Sequence, residues 1–167
     1  MTSRLLFVLL LSSCFLVPLL GIAANGYCNT QLASCQSCPS GWTWYGGYCY
    51  LFDNTKRDWY ASERFCNSFD ANLESFSTQG EYEFIRGLIN KAAGSDAAVW
   101  VGGYVVGKDR VWFWSDGEKF IFNGWGKTEP NNMGGNEKCM MINLNGKDYV
   151  NDLNCDTKLG LVCAKFP

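Results

Sequence analysis

The chain has 167 residues, of which 47% are hydrophobic and 18% are charged, and its formal net charge is −2. This composition is typical of a folded domain and excludes intrinsic disorder. A slightly acidic chain without a basic cluster is not expected to bind nucleic acid, since phosphate neutralisation supplies most of that affinity. The sequence has no histidine, which excludes a Ser-His-Asp triad, histidine-ligated zinc and a histidine pH switch.

Residues 1–24 have the features of a secretory signal peptide. Arg4 supplies a positive charge, an apolar stretch follows over 5–20, and small residues end at Ala24. The alternative is a membrane anchor, but Pro18 interrupts the apolar run. We therefore expect a secreted, extracellular protein that does not insert into the membrane.

Beyond the leader, the composition divides the chain into two parts. Residues 25–37 are small and polar without periodicity, which indicates a short N-terminal extension. From Cys38 onward, turn signals alternate with aromatic residues, so one folded domain is expected over 38–167.

The nine cysteines are typical of a disulfide-stabilised extracellular domain. Cys14 lies in the leader, and the remaining eight allow 105 pairings, so spacing alone does not determine their connectivity. Cys35 and Cys38 form a CxxC motif, which in a cytosolic protein would indicate redox chemistry or zinc binding. Because the leader indicates an oxidising compartment, structural disulfides are the preferred interpretation.

Local patterns predict the secondary structure in chain order. Gly46 and Gly47 are turn residues before an aromatic strand, which indicates a hairpin. Apolar residues then recur at helical spacing, and Thr78 with Glu81 resembles a capping box. The predicted elements are a strand over 48–52, helices over 57–69 and 80–93, and strands over 99–101, 111–114, 139–143, 148–151 and 161–165.

A long segment over 115–137 is rich in glycine and asparagine and has no periodicity, and such loops in compact domains are usually functional. This segment and the end of the predicted strand over 148–151, with the residue that follows it, contain oxygen-bearing side chains, which are Glu129, Asn131, Glu137, Asn151 and Asp152. Carboxylate and amide oxygens are ligands that Ca²⁺ prefers. The pattern is compatible with a calcium site, but taken alone it is more typical of a solvated polar turn.

Taken in order, these motifs resemble the C-type lectin domain family over 38–166. The landmarks are Cys-Pro-Ser-Gly-Trp at 38–42, Trp-Val-Gly-Gly at 100–103, Trp-Phe-Trp-Ser-Asp-Gly at 112–117, Trp125, Glu-Pro-Asn at 129–131, Glu137 before Cys139, and Asn-Asp at 151–152. A lone Glu-Pro-Asn would carry little weight, whereas the ordered set is specific. The chain is similar to small secreted single-domain fish lectins, a group that includes the type II antifreeze proteins.

The resemblance implies an α+β fold with two helices, antiparallel sheets and a long calcium- and sugar-binding loop. It implies a cis peptide bond before Pro130. It further implies that one Ca²⁺ and two vicinal sugar hydroxyls share the same ligands, which are Glu129, Asn131, Glu137, Asn151 and Asp152. The implied disulfides are Cys38–Cys49, Cys66–Cys163 and Cys139–Cys155.

Two positions depart from the family pattern. Val150 stands where the family often has tryptophan, and Lys138 stands where a second acidic calcium ligand is common. The stretch 105–109 offers only Asp109 as an acid, so an auxiliary calcium ion is not expected.

Most tryptophans are interpreted as core residues rather than sugar platforms, namely Trp42, Trp100, Trp112 and Trp114.

In this family, the order Glu-then-Asn is associated with mannose, fucose and N-acetylglucosamine. The expected function is therefore a secreted lectin that binds cell-surface or microbial glycans with weak, roughly millimolar affinity per site and agglutinates microbes or cells in innate defence. The alternatives are a galactose- or lactose-binding lectin with relaxed calcium dependence, and a lectin-like domain that binds protein or ice. An enzyme built on Glu129 and Glu137 is not expected, because the amide-rich surroundings suit an ion better.

Cys28 and Cys35 are left over after the three implied pairs. They can close a short loop within one chain, or they can join two chains into a disulfide-linked homodimer. We favour the interchain bond, because linking two weak sites raises avidity without distorting either site.

Overall fold

A computed structural model describes residues 26–29 and 34–167, so the predicted leader and Cys14 lie outside the described residues. The strands are β1 Gly26–Asn29, β2 Ser34–Ser37, β3 Thr43–Tyr45, β4 Tyr48–Arg57, β5 Asn72–Leu73, β6 Val99–Val106, β7 Val111–Trp114, β8 Cys139–Ile142, β9 Val150–Leu153 and β10 Leu159–Lys165. The helices are α1 Trp59–Asn67 and α2 Gln79–Ala93. The two helices and all the predicted strands are present.

An eight-stranded sheet forms the centre of the domain, with the main strand order β3-β4-β10-β6-β8-β9. Alternate residues of its strands contribute to two buried clusters. Trp100 and Leu161 pack in the cluster that contains residues of α1, whereas Val101 and Val162 pack in the cluster that contains residues of α2. Burial on both faces explains why these strands have continuous apolar runs instead of alternation.

The expected α+β fold class with two helices is confirmed. The sheet also contains one parallel pairing, between β6 and β10, which local sequence patterns did not indicate. The other pairings of this sheet are antiparallel. β10 therefore connects the first hairpin of the domain to the strands that carry the candidate site.

Local signals position the first elements as predicted. At the start of α2, the Thr78 hydroxyl accepts from the Glu81 backbone N–H at 3.2 Å, and the Glu81 carboxylate accepts from the Thr78 N–H at 3.0 Å. The turn between β3 and β4 contains Gly46 and Gly47 at φ of +57° and +98°, a region that favours glycine. The capping box and the hairpin are therefore confirmed.

The three disulfides that the resemblance implies are formed. Cys66–Cys163 joins α1 to β10 across 97 residues of sequence, and the other two pairs are Cys38–Cys49 and Cys139–Cys155. The extension contains an antiparallel pair, β1 and β2, that its small polar residues did not indicate; there the backbone register sets Cys28 opposite Cys35. No helix in the described part of the chain is long and apolar enough to cross a membrane.

Candidate functional site

The long segment between β7 and β8 is anchored to the domain by aromatic residues. Phe120, Phe122 and Trp125 pack against the cluster on the α2 face of the sheet. Directly after them, the Gly126 N–H donates to the Val150 carbonyl at 2.9 Å, which attaches the segment to β9. The residues that follow are thus held beside the strand that carries Asn151 and Asp152.

The Glu-Pro-Asn motif lies immediately after this attachment point. The Glu129–Pro130 peptide bond is cis, as expected from the resemblance. The Glu129 N–H donates to the Gly126 carbonyl at 3.0 Å, and the Glu129 Oε1 atom accepts from the Asn131 Nδ2 atom at 2.9 Å. The carboxylate of Glu129 and the amide of Asn131 are therefore in direct contact on the same turn.

Asp152 joins this turn to the sheet. Its side chain is fully buried. Its Oδ1 atom accepts from the Asn131 backbone N–H at 2.9 Å, and its Oδ2 atom accepts from the Asn132 backbone N–H at 3.0 Å. A buried carboxylate requires such partners, since an unpaired charge in the interior is costly.

Glu137 closes the far side of the loop. Its Oε2 atom accepts from the Met133 backbone N–H at 2.8 Å, and the same N–H lies 2.7 Å from the Asn131 Oδ1 atom. The Glu137 N–H in turn donates to the Asn132 side chain at 3.0 Å. Hydrogen bonds therefore connect four of the five sequence-predicted site residues, directly or through one neighbour.

Asn151, the fifth residue, is buried in β9 next to Asp152, with 6% of its surface exposed. It lies opposite Met141 in the β8–β9 ladder, while Asp152 lies opposite Met140. The hydrogen-bond network of the loop does not include the Asn151 side chain. The structure therefore places Asn151 beside the network by its strand position alone.

Carboxylates at the candidate site lie close enough to affect each other's charge. Partial burial, followed by the negative charge of the neighbouring Asp152, raises the pKa of the Glu129 carboxyl above its ordinary value. A bound cation would relieve this repulsion, and the available donors are oxygens of the type that Ca²⁺ prefers. By donor chemistry, these residues fit a calcium ion.

The carboxylates are nevertheless not arranged as a ready-made metal centre. Among the described residues, no group of three or more histidine, cysteine, aspartate or glutamate side chains is placed to hold a metal ion. The oxygens of Glu129, Glu137 and Asp152 instead accept hydrogen bonds from N–H groups. Binding of a cation would require some of these bonds to be exchanged.

Two residues that sequence reasoning missed belong to this site. Arg110 donates from Nη2 to Asp152 Oδ2 at 2.7 Å. The Tyr149 hydroxyl is 3.3 Å from Glu129 Oε1 and also donates to the Lys127 carbonyl. Arg110 lies 42 residues before its partner, so no local motif connects the two.

The tryptophans are mainly structural, as expected. Trp42, Trp100 and Trp114 are buried. Trp112 is half-buried, and its ring centroid lies 4.7 Å from that of Trp125. At the loop itself, Met133 is the prominent apolar side chain, with 71% of its surface exposed.

Comparison with known proteins identifies several relatives. Ladderlectin of Oncorhynchus mykiss is 42% identical over 120 residues, which cover 72% of this chain and 63% of that protein. This chain therefore matches less than two thirds of the length of ladderlectin. The galactose-specific lectin nattectin of Thalassophryne nattereri is 39% identical over 151 residues, which cover 90% of this chain and 92% of that protein.

Solved structures show the same fold. Herring type II antifreeze protein superposes with a TM-score of 0.70 at 26% identity, covering 78% of this chain and 99% of that one. SPL-1 in complex with GlcNAc superposes with a TM-score of 0.65 at 38% identity, covering 77% and 94%. The model of the lectin C-type domain matches residues 55–165. With the motifs, the two-helix fold and the disulfides already described, this match shows that the chain belongs to the C-type lectin domain family.

Proposed function

We propose that the protein is a secreted, calcium-dependent lectin that binds glycans with mannose-type hydroxyl geometry. The observation that carries the proposal is the hydrogen-bonded cluster of Glu129, Asn131 and Asp152, which brings two carboxylates and an amide together beside β9. Relatives named as lectins support carbohydrate binding in general. The calcium dependence and the sugar preference are our inference from the residues of the loop.

The residues divide the work of sugar recognition by their chemistry. Bound Ca²⁺ would supply coordination positions for two neighbouring hydroxyl groups. Glu129 and Glu137 would accept hydrogen bonds from those hydroxyls, while the amide groups of Asn131 and Asn151 would donate to them. Asp152, which is fully buried, would hold the ion and the loop together. Since the direction of each bond is fixed, the order Glu-then-Asn selects the hydroxyl geometry.

The same groups support binding rather than catalysis. The Glu129 carboxylate accepts from an amide on its own turn, and Glu137 accepts from a backbone N–H across the loop. These contacts hold both carboxylates as acceptors, which suits recognition of hydroxyl groups. We propose no reaction at this site.

Retention on immobilised mannose tests the proposal directly. Asn131→Ala removes the amide of the motif, and Asn136→Ala is the matched control, because Asn136 is an exposed asparagine of the same loop. We expect retention to be lost in Asn131→Ala, kept in Asn136→Ala, and lost by the unmodified protein in EDTA. Retention of Asn131→Ala equal to that of the unmodified protein would contradict the site assignment, and retention in EDTA would contradict the calcium requirement.

A second candidate is galactose or lactose binding, and one observation favours it. Nattectin, which matches 90% of this chain, is named as galactose-specific. Against this, SPL-1 is named in complex with GlcNAc. Hapten inhibition with mannose, fucose, N-acetylglucosamine, galactose and lactose separates the candidates. We expect mannose and fucose to inhibit best, and stronger inhibition by galactose would establish the second candidate.

Secretion and a role in defence complete the proposal. The leader over 1–24 and the disulfide-rich domain are typical of an extracellular protein. We propose microbial or cellular glycans as the partners, and agglutination would require two or more chains to act together, because each chain carries one proposed site. Culture medium from cells expressing the full chain should contain a product that lacks the leader. If the protein is retained on none of the immobilised sugars, with calcium or with EDTA, the alternative of a lectin-like domain that binds protein or ice is favoured.

A further inference from the structure

Arg110 lies in the turn between β6 and β7 and reaches across to the candidate site. Its Nη2 atom is 2.7 Å from the Asp152 Oδ2 atom, and the Arg110 side chain is 29% exposed while that of Asp152 is fully buried. The same Nη2 atom lies 3.2 Å from the Glu137 backbone carbonyl. One guanidinium group therefore contacts two of the residues to which we assign the calcium site.

This contact completes the hydrogen bonding of the Asp152 carboxylate. Oδ1 accepts from the Asn131 N–H, and Oδ2 accepts from both the Asn132 N–H and Arg110. The two backbone donors belong to the loop that Asp152 positions. Arg110 is thus the partner that brings positive charge to a carboxylate that would otherwise be a buried, uncompensated charge.

A divalent cation bound by Asp152 and the guanidinium group of Arg110 would compete for the same Oδ2 atom. Both are positively charged and both need the Oδ2 lone pairs, so close occupancy by one opposes occupancy by the other. A backbone N–H is neutral and does not oppose a nearby cation in this way. The side chain that must withdraw when a cation binds Asp152 is therefore that of Arg110.

We propose that Arg110 is an internal counter-ion that occupies Asp152 in the ion-free protein and competes with Ca²⁺ for it. The inference rests on the proposed function, because it concerns the same calcium site. It has two consequences: the loop around Glu-Pro-Asn keeps its hydrogen bonds without calcium, and the affinity for calcium is lower than the ligand set alone would give.

Isothermal titration of the mature protein with CaCl₂ tests the competition. We expect Arg110→Gln to bind Ca²⁺ about fivefold more tightly than the unmodified protein, the factor that corresponds to losing a competing ion pair of ordinary strength. Lys108→Gln is the matched control, since Lys108 is an exposed residue of the same turn and its loss changes the charge equally. We expect its affinity to stay within about twofold of the unmodified protein.

Hydrogen exchange in EDTA gives a second readout that does not depend on bound calcium. Peptides that contain Asn131 and Asn132 should exchange severalfold faster in Arg110→Gln than in the unmodified protein, because the carboxylate that accepts from their amides has lost its counter-ion. Added CaCl₂ should restore slow exchange in the variant. Arg110→Lys, which keeps the charge, should be intermediate in both measurements and covers the case in which Arg110→Gln does not fold.

The outcomes separate this inference from the proposed function. Tighter calcium binding by Arg110→Gln but not by Lys108→Gln supports the competition. Equal calcium affinity in the unmodified protein and both Arg110 variants overturns the role of Arg110 and leaves the calcium site standing. No calcium binding by any of the proteins overturns the calcium site and the competition together.

Discussion

The ring of Tyr149 lies so close to the backbone of Gly126 that a side-chain carbon on Gly126 would overlap it. Gly126 also donates to the Val150 carbonyl and accepts from the Glu129 N–H. The turn that presents Glu129 is thus formed around an aromatic ring, and the absence of a side chain at 126 permits it. This packing has a direct consequence for the candidate site.

We expect Gly126→Ala to displace Tyr149 or the turn and to weaken sugar retention. Overpacking of this kind typically costs about 1–3 kcal/mol. Gly87→Ala is the control, because a side-chain carbon at this position in α2 would meet no atom within 4 Å. That change should stabilise the helix by about 0.5–1 kcal/mol and leave retention unchanged. Urea unfolding and mannose chromatography of both variants check the prediction, and normal retention by Gly126→Ala would contradict it.

Glu63 connects α1 to β5 and to the residue that follows β7. Its carboxylate accepts from the Asn72 side chain at 2.7 Å, the Leu73 backbone N–H at 2.8 Å and the Ser115 hydroxyl at 2.9 Å. We expect Glu63→Ala to lower the free energy of unfolding by about 1–3 kcal/mol, because partly buried donors lose their acceptor. The exposed Glu83 provides the control, and Glu83→Gln should change stability by less than about 0.5 kcal/mol. Urea unfolding measures both, and a Glu63→Ala protein of unchanged stability would show that water replaces the lost acceptor.

Glu74 predicts a pH dependence of stability. Complete burial, followed by the negative charges of Asp116 and Glu81, raises the pKa of its carboxyl well above the ordinary value of 4.5. The folded protein therefore binds the proton more tightly than the unfolded chain. Between the unfolded and folded pKa values, stability must fall as the pH rises.

The matched substitution is Glu74→Gln, which keeps the shape and removes the titration. We expect it to be more stable than the unmodified protein at pH 7 and similar to it at pH 4, which lies below the ordinary pKa, so that Glu74 is mostly protonated in the unfolded chain as well as in the folded protein. Urea unfolding at the two pH values checks this, with Glu83→Gln as the exposed control. Loss of stability in Glu74→Gln at pH 7 would contradict the prediction.

The extension allows a prediction about Cys28 and Cys35. The β1–β2 register sets the two residues directly opposite each other. Opposed residues in antiparallel pairs have Cα atoms about 4.5–5.5 Å apart, which is within the range for a disulfide. The backbone thus favours a bond within one chain over the interchain bond that we expected from the avidity argument.

Electrophoresis decides between the two bonds. On a non-reducing SDS gel we expect the mature protein to migrate as a monomer, and the Cys28→Ser, Cys35→Ser double variant to migrate at the same mass. A covalent dimer that collapses on reduction and is absent from the double variant would instead establish the interchain bond. Mass spectrometry of a non-reduced digest confirms the pairing in either case.

The elements that short-range signals specify were predictable. The capping box of α2 needs only Thr78 and Glu81, and it appears as expected. The apolar runs that become β6, β8 and β10 were also recognisable as strands, because strands that are buried on both faces have continuous apolar sequences. By contrast, β5 has only two residues and is held by Glu63 and β10, so nothing local indicates it.

The candidate site also contains both residues that were predicted from the sequence and residues that were not. The members of the Glu-Pro-Asn motif and Asp152 were found through the family resemblance, which encodes contacts between distant parts of the chain. Arg110 belongs to no such motif and approaches Asp152 only because the β6–β7 turn folds over the loop. An ion pair of this kind depends on tertiary structure, and one sequence without its fold does not reveal it.

The order of the strands separates attachment from recognition. β3, which follows the extension, is at one end of the main path of the sheet, and β9, which carries Asn151 and Asp152, is at the other. Four strands of that path, β4, β10, β6 and β8, lie between β3 and β9, so these two strands are not neighbours in the sheet. The protein could therefore be coupled to a support, a label or a second domain through the segment before Cys38. The β9 edge, which carries the candidate site, would stay open to a glycan-coated surface.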